Sequence, residues 1–511
     1  MGQLSSFVFS VIEVSVYVFV IGLSLLAALI FTFYLIDRFQ TKSTLRRNYP
    51  VLARFRYLFE HMGEFFRQYF FAQDREEMPF NRAERSWVYR AAKNIDSTVA
   101  FGSTRVLTDP GSIYFVNCPF PTLDEDATEE SSVTVGHFCE TPYTTKSLFN
   151  ISGMSYGALS IPAVRALSKG AKMAGIWINT GEGGLSPYHL ESGADIVFQI
   201  GTAKYGVRKK EGGFDEAKLK EVAAHPQVKM FEIKLSQGAK PGKGGILPGI
   251  KVNAEIAKIR GVEVGKDAIS PNRHADISSV NDLLDMIHYV RDITGKPVGF
   301  KAVIGEVEFL DELFSTINKR GIESAPDFIT VDSSDGGSGA APMSLFDNMG
   351  LPLKESLPMV IDKLTSYQLR NRIKVCASGK LINPSEATWA LCVGADFVNS
   401  ARGFLFALGC IQSLQCNKNT CPTGITTHNK KLQYGLNPED KAVRVMHYAE
   451  NMHKEIGVLA HACGVSEPRL LRRKHARIVL ENGNSKSMAE IYPKPVGQSH
   501  VVHLKTASSN G

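Results

Sequence analysis

The sequence predicts an α/β protein: a TIM (β/α)8 barrel with an N-terminal transmembrane helix, a mixed lead-in segment and a helical C-terminal extension. Three observations carry that expectation. From residue 149 onward, short apolar β-rich runs alternate with helical segments, and the runs number eight. Seven of them end in a polar or glycine-rich motif, as a barrel with its working loops on one face requires. Ahead of them lies an uncharged apolar stretch, Val14 to Ile36, long enough to span a bilayer as a helix. A doubly wound open sheet is the alternative arrangement of the same alternation.

In chain order the segments are an anchor (1–37), an aromatic amphipathic juxtamembrane stretch (38–79), an α/β lead-in (80–148), the barrel (149–425) and the extension (426–511). The apolar run is bounded by Glu13 and Asp37; no Lys or Arg precedes it, and Arg38, Lys42, Arg46 and Arg47 follow it. By the positive-inside rule this is a single-pass protein of the inner (cytoplasmic) membrane with its catalytic body on the cytoplasmic side. A signal peptide would show positive charge first, a shorter apolar core and a small-residue cleavage site. The opening Met1-Gly2-Gln3-Leu4-Ser5-Ser6 matches a myristoylation pattern, read as coincidence beside a spanning helix. Val51 to Phe71, rich in Phe, Tyr and Arg, suits either the membrane surface or packing against the catalytic body. In the lead-in, Trp87–Asp96 reads as a helix and Thr98–Val116 as short strands around Asp109-Pro110-Gly111. The acidic patch from Asp124 to Glu130 reads as a solvated loop. The net charge of +7 over 511 residues is diffuse, with no basic patch, so nucleic acid is not an expected partner.

The eight expected strands are Phe149–Gly153, Trp177–Thr180, Ile196–Gly201, Met230–Leu235, Val298–Val303, Phe328–Asp332, Ile373–Ala377 and Asp396–Ser400. Helical pattern lies between most of them, at Ile161–Ala174, Asp215–Ala224, Val280–Thr294, Glu308–Lys319, Glu355–Arg370 and Pro384–Val393. The motifs behind the strands begin with Met154-Ser155-Tyr156-Gly157-Ala158 and Asn179-Thr180-Gly181-Glu182-Gly183-Gly184. The fourth strand carries Lys234, Gln237 and Lys240, the fifth ends in Lys301, and the sixth runs into Asp335-Gly336-Gly337-Ser338-Gly339. The seventh and eighth end in Ser378-Gly379 and Ala401-Arg402, where barrels bind phosphate through glycine N–H groups and a helix start. A surface ion pair is the plainer use of Arg402. Lys301, inward at a strand end, suits negative charge on a reduced flavin ring or a structural ion pair. Asp335–Gly339 has an acid, Glu355, near dinucleotide-fingerprint spacing, but Pro342 and the lack of a helix opening there argue for backbone approaching a planar cofactor. Electrons are therefore expected from another protein.

Past the last strand, Cys410, Cys416 and Cys421 are spaced C-x5-C-x4-C with Pro422 behind. Such a turn can offer three thiolates to an iron–sulfur cube. Zinc wants a fourth ligand and usually a tighter knuckle, and a disulfide leaves one thiol over. Three buried apolar cysteines remain the plain alternative.

Met154–Ser160, Asn179–Gly184, Gln237–Gly242, Asp335–Gly339 and the three-cysteine run, in that order, resemble the FMN-binding synthase domain of glutamate synthase in a stand-alone form. The likeness covers about residues 149–425 and, more weakly, the lead-in. It implies a TIM barrel carrying FMN, with a [3Fe-4S] cluster on Cys410, Cys416 and Cys421. It further implies reduction of 2-iminoglutarate, from 2-oxoglutarate and ammonia, to L-glutamate, with electrons passing through the cluster. Glu182 then takes a proton or gating role, against a helix-capping role as the bland reading. Gln237 and Lys240 hold the dicarboxylate, and Lys234 and Lys301 line the flavin. Met154, Ser155, Asp335, Gly336, Gly337, Ser378, Gly379, Ala401 and Arg402 complete the cofactor site. No glutaminase domain or processed N-terminal cysteine precedes the barrel, so ammonia is expected free or from a separate glutaminase subunit. The β-helix domain that follows the barrel in the large enzymes is missing too. Two other readings stand beside this one. One is a flavin dehydrogenase of another amino or imino acid, coupled to a membrane electron carrier. The other is a non-catalytic anchor subunit that keeps the fold.

Overall fold

The computed structural model describes residues 2–495, which fall into two compact units divided between Ala83 and Glu84. The first is helical. Helix α1 (Gly2–Phe39) includes a segment, Ser6–Phe39, long and apolar enough to cross a membrane. Three of its hydroxyls are satisfied within the helix: Ser15, Ser24 and Thr32 each donate to the carbonyl four residues back. A short helix α2 (Thr44–Asn48), capped by the Ser43 side chain, leads into α3 (Leu52–Phe66), which continues as a π-helical turn, Arg67–Phe71.

The second unit is built on the expected barrel. Its strands are β1 (Phe149–Ile151), β2 (Ile178–Asn179), β3 (Ile196–Ile200), β4 (Val228–Lys234), β5 (Val298–Val303), β6 (Phe328–Asp332), β7 (Lys374–Ser378) and β8 (Phe397–Ser400). They close in the order β1 to β8, all parallel, with β8 pairing back to β1. Register aligns the strand ends: Lys234 lies beside Lys301, Asp332 beside Ser378, and Ser378 beside Asn399. One rim therefore collects the polar ends of the strands. The opposite end is filled by Val135, Tyr143, Trp177, Val197, Met230, Phe328, Cys376 and Phe397, two of them from a hairpin, Val133–Val135 with Tyr143–Thr145, that plugs the barrel floor.

The outer helices follow the sequence closely. Ile161–Ala174 (α5 below), Val280–Thr294 and Pro384–Val393 match the expected bounds. Each begins with a side-chain cap, from Ser160, Ser279 and Asn383, that takes up an otherwise orphaned N–H. Two expectations need correction. Of Thr98–Val116, only Ile113–Phe115 becomes a strand, because its partner, Ala476–Val479, lies over 350 residues away. Ala476–Val479 pairs with Ser485–Ser487 as well, so the extension is not wholly helical but contributes two strands to a small antiparallel sheet. Its longest helix, the 25-residue Pro438–Ala462, is laid along α5. A Cβ on Gly170 of α5 would come within 2.5 Å of Val445, so glycine permits this close approach. The lead-in helix, expected over 87–96, runs Arg82–Ala92 (α4) and sets Trp87 edge-on to Tyr448 of the long helix.

Candidate active site

A cavity opens at the rim where the strands end, and all eight strands or their loops line it. The lining cations are Lys234, Lys240, Lys251, Arg260, Lys301, Lys380 and Arg402, against the carboxylates Glu182 and Asp332. Lys234, Lys240, Lys251, Arg260 and Lys301 are buried. Buried cations in such excess are costly unless an anion answers them.

Glu182 sits at the centre of this field. It projects from the 3-10 turn Gly181–Gly183 behind β2, and its Oε2 lies 3.1 Å from Lys234 Nζ. Lys234 also contacts the side-chain oxygen of Gln237. A side chain at Gly201 or Gly245 would run into Glu182, so two glycines keep its space open. Burial opposes its ionisation, but Lys234, Lys240 and Arg260 overcome burial and hold the carboxyl below the usual range. The same burial brings Lys240 down to about 8, against the pull of Glu182. Lys301 is charged in spite of burial, because Asp332 at 3.2 Å and the deeper Glu232 raise its pKa.

Below the cavity floor a buried carboxylate sets the geometry. Glu232 Oε1 accepts from Asn179 Nδ2 (2.8 Å) and Gln199 Nε2 (2.7 Å), and Oε2 accepts from Thr330 Oγ1 (2.6 Å). Asn179 Oδ1 in turn accepts from the N–H of Gly181 at 2.9 Å, fixing the turn that carries Glu182. His274 donates from Nε2 to the Lys234 carbonyl at 3.0 Å, and burial holds its pKa near 4.

The structure brings most of the expected residues together. Glu182, Lys234, Gln237, Lys240, Met154, Ser155, Lys301, Gly337, Ser378, Gly379, Ala401, Arg402 and Cys416 all line the cavity. Asp335 and Gly336 do not: Asp335 turns aside to Lys380 (3.0 Å) and the Ser333 hydroxyl. Their place is taken by Asp332, the last inward residue of β6. Sequence reasoning also passed over Arg260, Lys251, Gln199 and Glu232. For Glu232 and Asp332 a signal existed, since each lies two residues from an inward-facing neighbour on its strand. Arg260 closes a short helix, Ala254–Arg260, and nothing in the sequence marks it as inward. Its Nη2 donates to the Tyr156 carbonyl at 3.1 Å, while its buried Nε has no partner.

The cysteine run follows the helix Arg402–Leu408, with Cys416 at the cavity wall and Cys410 and Cys421 off it. Lys251 Nζ donates to the Cys416 carbonyl (2.8 Å), Tyr89 to that of Cys410 (2.6 Å), and Arg402 Nη1 lies 3.9 Å from Cys416 Sγ. Burial raises Cys410 to about 11, and Cys416 and Cys421 are close enough to add to the rise. Cys421 runs below the usual thiol range: burial opposes the thiolate, and hydrogen bonds from Thr423 and Thr426 outweigh it. Among the described residues, no three His, Cys, Asp or Glu side chains are grouped to hold a metal ion. The three thiols therefore do not stand gathered as a formed metal site, for zinc or for iron, and Lys251 and Arg402 lie beside the run.

A closed barrel with buried cations, a captive carboxylate and a thiol loop at its C-terminal mouth is the architecture of a barrel enzyme with its site at that end. The family model described as "Conserved region in glutamate synthase" matches residues 116–466. The chain belongs to the FMN-binding glutamate synthase family, oxidoreductases acting on the CH–NH2 group of donors. It is 40% identical to the glutamate synthase large subunit-like protein YerD of Bacillus subtilis (strain 168), over 93% of this chain and 97% of that one. It is 34% identical to the archaeal-type glutamate synthase (NADPH) of Dehalococcoides mccartyi (strain ATCC BAA-2266 / KCTC 15142 / 195), over 64% of this chain and 62% of that one. The chain thus spans nearly the whole of the first relative and about three-fifths of the second. Among solved structures, a mutant of the active chimera of (S)-mandelate dehydrogenase is similar at 12% identity and TM-score 0.47, over 71% of this chain and 87% of that one.

Proposed function

We propose that the protein is an FMN- and iron–sulfur-dependent enzyme that reduces 2-iminoglutarate, formed from 2-oxoglutarate and ammonia, to L-glutamate. The observation that carries this reading is the cluster of Lys234, Lys240 and Arg260 about Glu182, which presents an anionic site for a cation beside a cationic site for a dicarboxylate. Arg260, with its buried Nε unpartnered, and Lys240 would take the substrate carboxylates, and Gln237 would orient them. Glu182, ionised, would hold ammonium beside the 2-oxo carbon; once its proton has passed to water, ammonia adds to that carbon and the carbonyl oxygen leaves as water, giving the imine. Lys234 keeps that carboxylate in place.

The cofactor site fits its group. Ser378, Gly379, Ala401 and Arg402 form the corner that suits a phosphate, and Lys301 stands ready for negative charge on the ring. FMN held there would supply a hydride to the imino carbon, and Cys410, Cys416 and Cys421 would be the thiols to hold a cluster delivering single electrons. The helix α1 would cross the inner membrane with the barrel on the cytoplasmic side. Electrons would come from a redox protein or membrane carrier, and ammonia from solution or a separate glutaminase.

The test is the full-length protein, purified in detergent, assayed with 2-oxoglutarate, ammonia and an artificial reductant. Glutamate formation and a flavin spectrum are expected. Flavin reduced by a different amino acid, without glutamate formation, would move the reading to a dehydrogenase of that substrate. Replacing Cys416 with Ser should remove the iron–sulfur electron paramagnetic resonance signal and leave flavin bound.

A further inference from the structure

The first unit carries an apolar surface that the catalytic reading leaves unused. Along α3 and its π-helical continuation, Leu52, Phe55, Phe59, Phe66 and Phe70 recur at helical spacing and share one side, flanked by Leu58, Phe65 and Tyr69. All are exposed, Phe59 at 64% and Phe70 at 74%. The other side carries Arg56, Glu60, Glu64 and Arg67. A helix of a soluble protein turns such a stripe into its core, and a contiguous apolar surface of this size marks a binding face.

The end of α1 decides what covers it. Asp37, in the last turn of α1 and one residue past the apolar run, is fully buried. Its carboxylate accepts from Arg46 Nε (2.8 Å) and Nη2 (2.6 Å), from Arg54 Nε (2.7 Å) and Nη2 (2.9 Å), and from the Val51 N–H (3.1 Å). Arg54 also lies 4.1 Å over the Phe33 ring of α1. Of these three partners, Arg46 lies in α2, while Val51 and Arg54 sit at the start of α3, so α3 begins beside the end of α1. Arg38, Lys42, Arg47, Arg56 and Arg67 belong to the same stretch of chain, a charge set that complements anionic headgroups.

We infer that Leu52–Phe71 is an interfacial helix that lies in the headgroup layer of an anionic bilayer with its aromatic stripe toward the acyl chains. It is a second membrane contact, pinned to the first by Asp37 and resting on the reading that α1 spans. Full-length protein in phosphatidylethanolamine–phosphatidylglycerol vesicles tests it, using the added emission of single tryptophans against the three native ones. Phe59→Trp and Phe70→Trp should lose most of that emission to lipids brominated near the headgroup and be spared by aqueous iodide. Glu64→Trp should do the reverse, and Leu25→Trp in α1 should respond only to deeply brominated lipid. If Phe59→Trp is open to iodide, or shielded from iodide and lipid alike, while Leu25→Trp is quenched by lipid, the interfacial helix is overturned and the span stands. If Leu25→Trp ignores lipid, the spanning reading fails and takes this one with it.

Discussion

The two ends of one barrel solve the problem of buried charge in opposite ways. At the floor, Asp327 just before β6 is fully buried and answers two arginines: Arg291 at 3.1 Å and Arg372 at 2.9 Å. It also accepts from the Val298 N–H at 2.9 Å, and the hairpin seals the space around it. At the mouth, cations outnumber carboxylates and one guanidinium nitrogen is left without a partner. At the floor opposite charges meet in ion pairs, although Asp327 Oδ1 and Arg372 Nη1 make no hydrogen bond, whereas at the mouth one sign is in surplus. A buried carboxylate answered by matching cations belongs to the fold, whereas a surplus of one sign beside a cavity waits for a ligand.

That contrast can be broken from either end. Asp327→Ala leaves two buried arginines uncompensated and should cost about 3–5 kcal/mol of stability, read by chemical denaturation. Glu182→Gln at the mouth should lower kcat by about 10²-fold or more, with a far smaller shift in the same denaturation curve. If Glu182→Gln destabilises as much as Asp327→Ala, the mouth is structural and the contrast dissolves. Arg260→Gln should raise KM for 2-oxoglutarate about tenfold or more while kcat changes less, a split that steady-state kinetics resolves. The smallest effect concerns pH. Lys240, brought down to about 8, is a cation below that pH and loses its charge above it. KM for the dicarboxylate should therefore stay flat at neutral pH and climb as pH passes about 8. Bound substrate stabilises the ammonium, so the fall in kcat should appear at higher pH than the fall in kcat/KM. Lys240→Arg, always charged, should flatten the profile.

Much of this contrast was legible beforehand, and the losses have physical causes. The eight strands were visible because parallel barrel strands are buried on both faces and stand out as apolar runs between helical periods. Even β2, with two paired residues, was found from its flanks. The mouth was legible through glycines and polar residues behind strand ends, which is why Glu182, Lys234 and Lys240 were named without coordinates. Asp335 was preferred to Asp332 because glycines drew attention past the strand end. Counting by twos from Phe328 through Thr330 reaches Asp332 on the inward face. The same count backward from Lys234 finds Glu232. Arg260 and Ile113–Phe115 are different: their roles depend on partners far along the chain, which no local pattern encodes. The helix expected at Glu355–Arg370 formed at Leu353–Ser366, since Leu353, Leu357, Val360, Ile361 and Leu364 supply the buried face and Pro358 is tolerated near its start.

The close contact between Gly170 on α5 and Val445 on the 25-residue helix has a temporal consequence. The first helix of the barrel is made early in translation, and the helix that covers it is made almost three hundred residues later. Until Pro438–Ala462 has left the ribosome, α5 shows a groove shaped for a partner that does not yet exist. The seam between β8 and β1 closes in the same late interval, because its two strands are the most distant neighbours in the barrel. A nascent chain of this protein therefore carries an open barrel through most of its synthesis. The interval before Pro438–Ala462 emerges is when it is most exposed to wrong pairing and to chaperones.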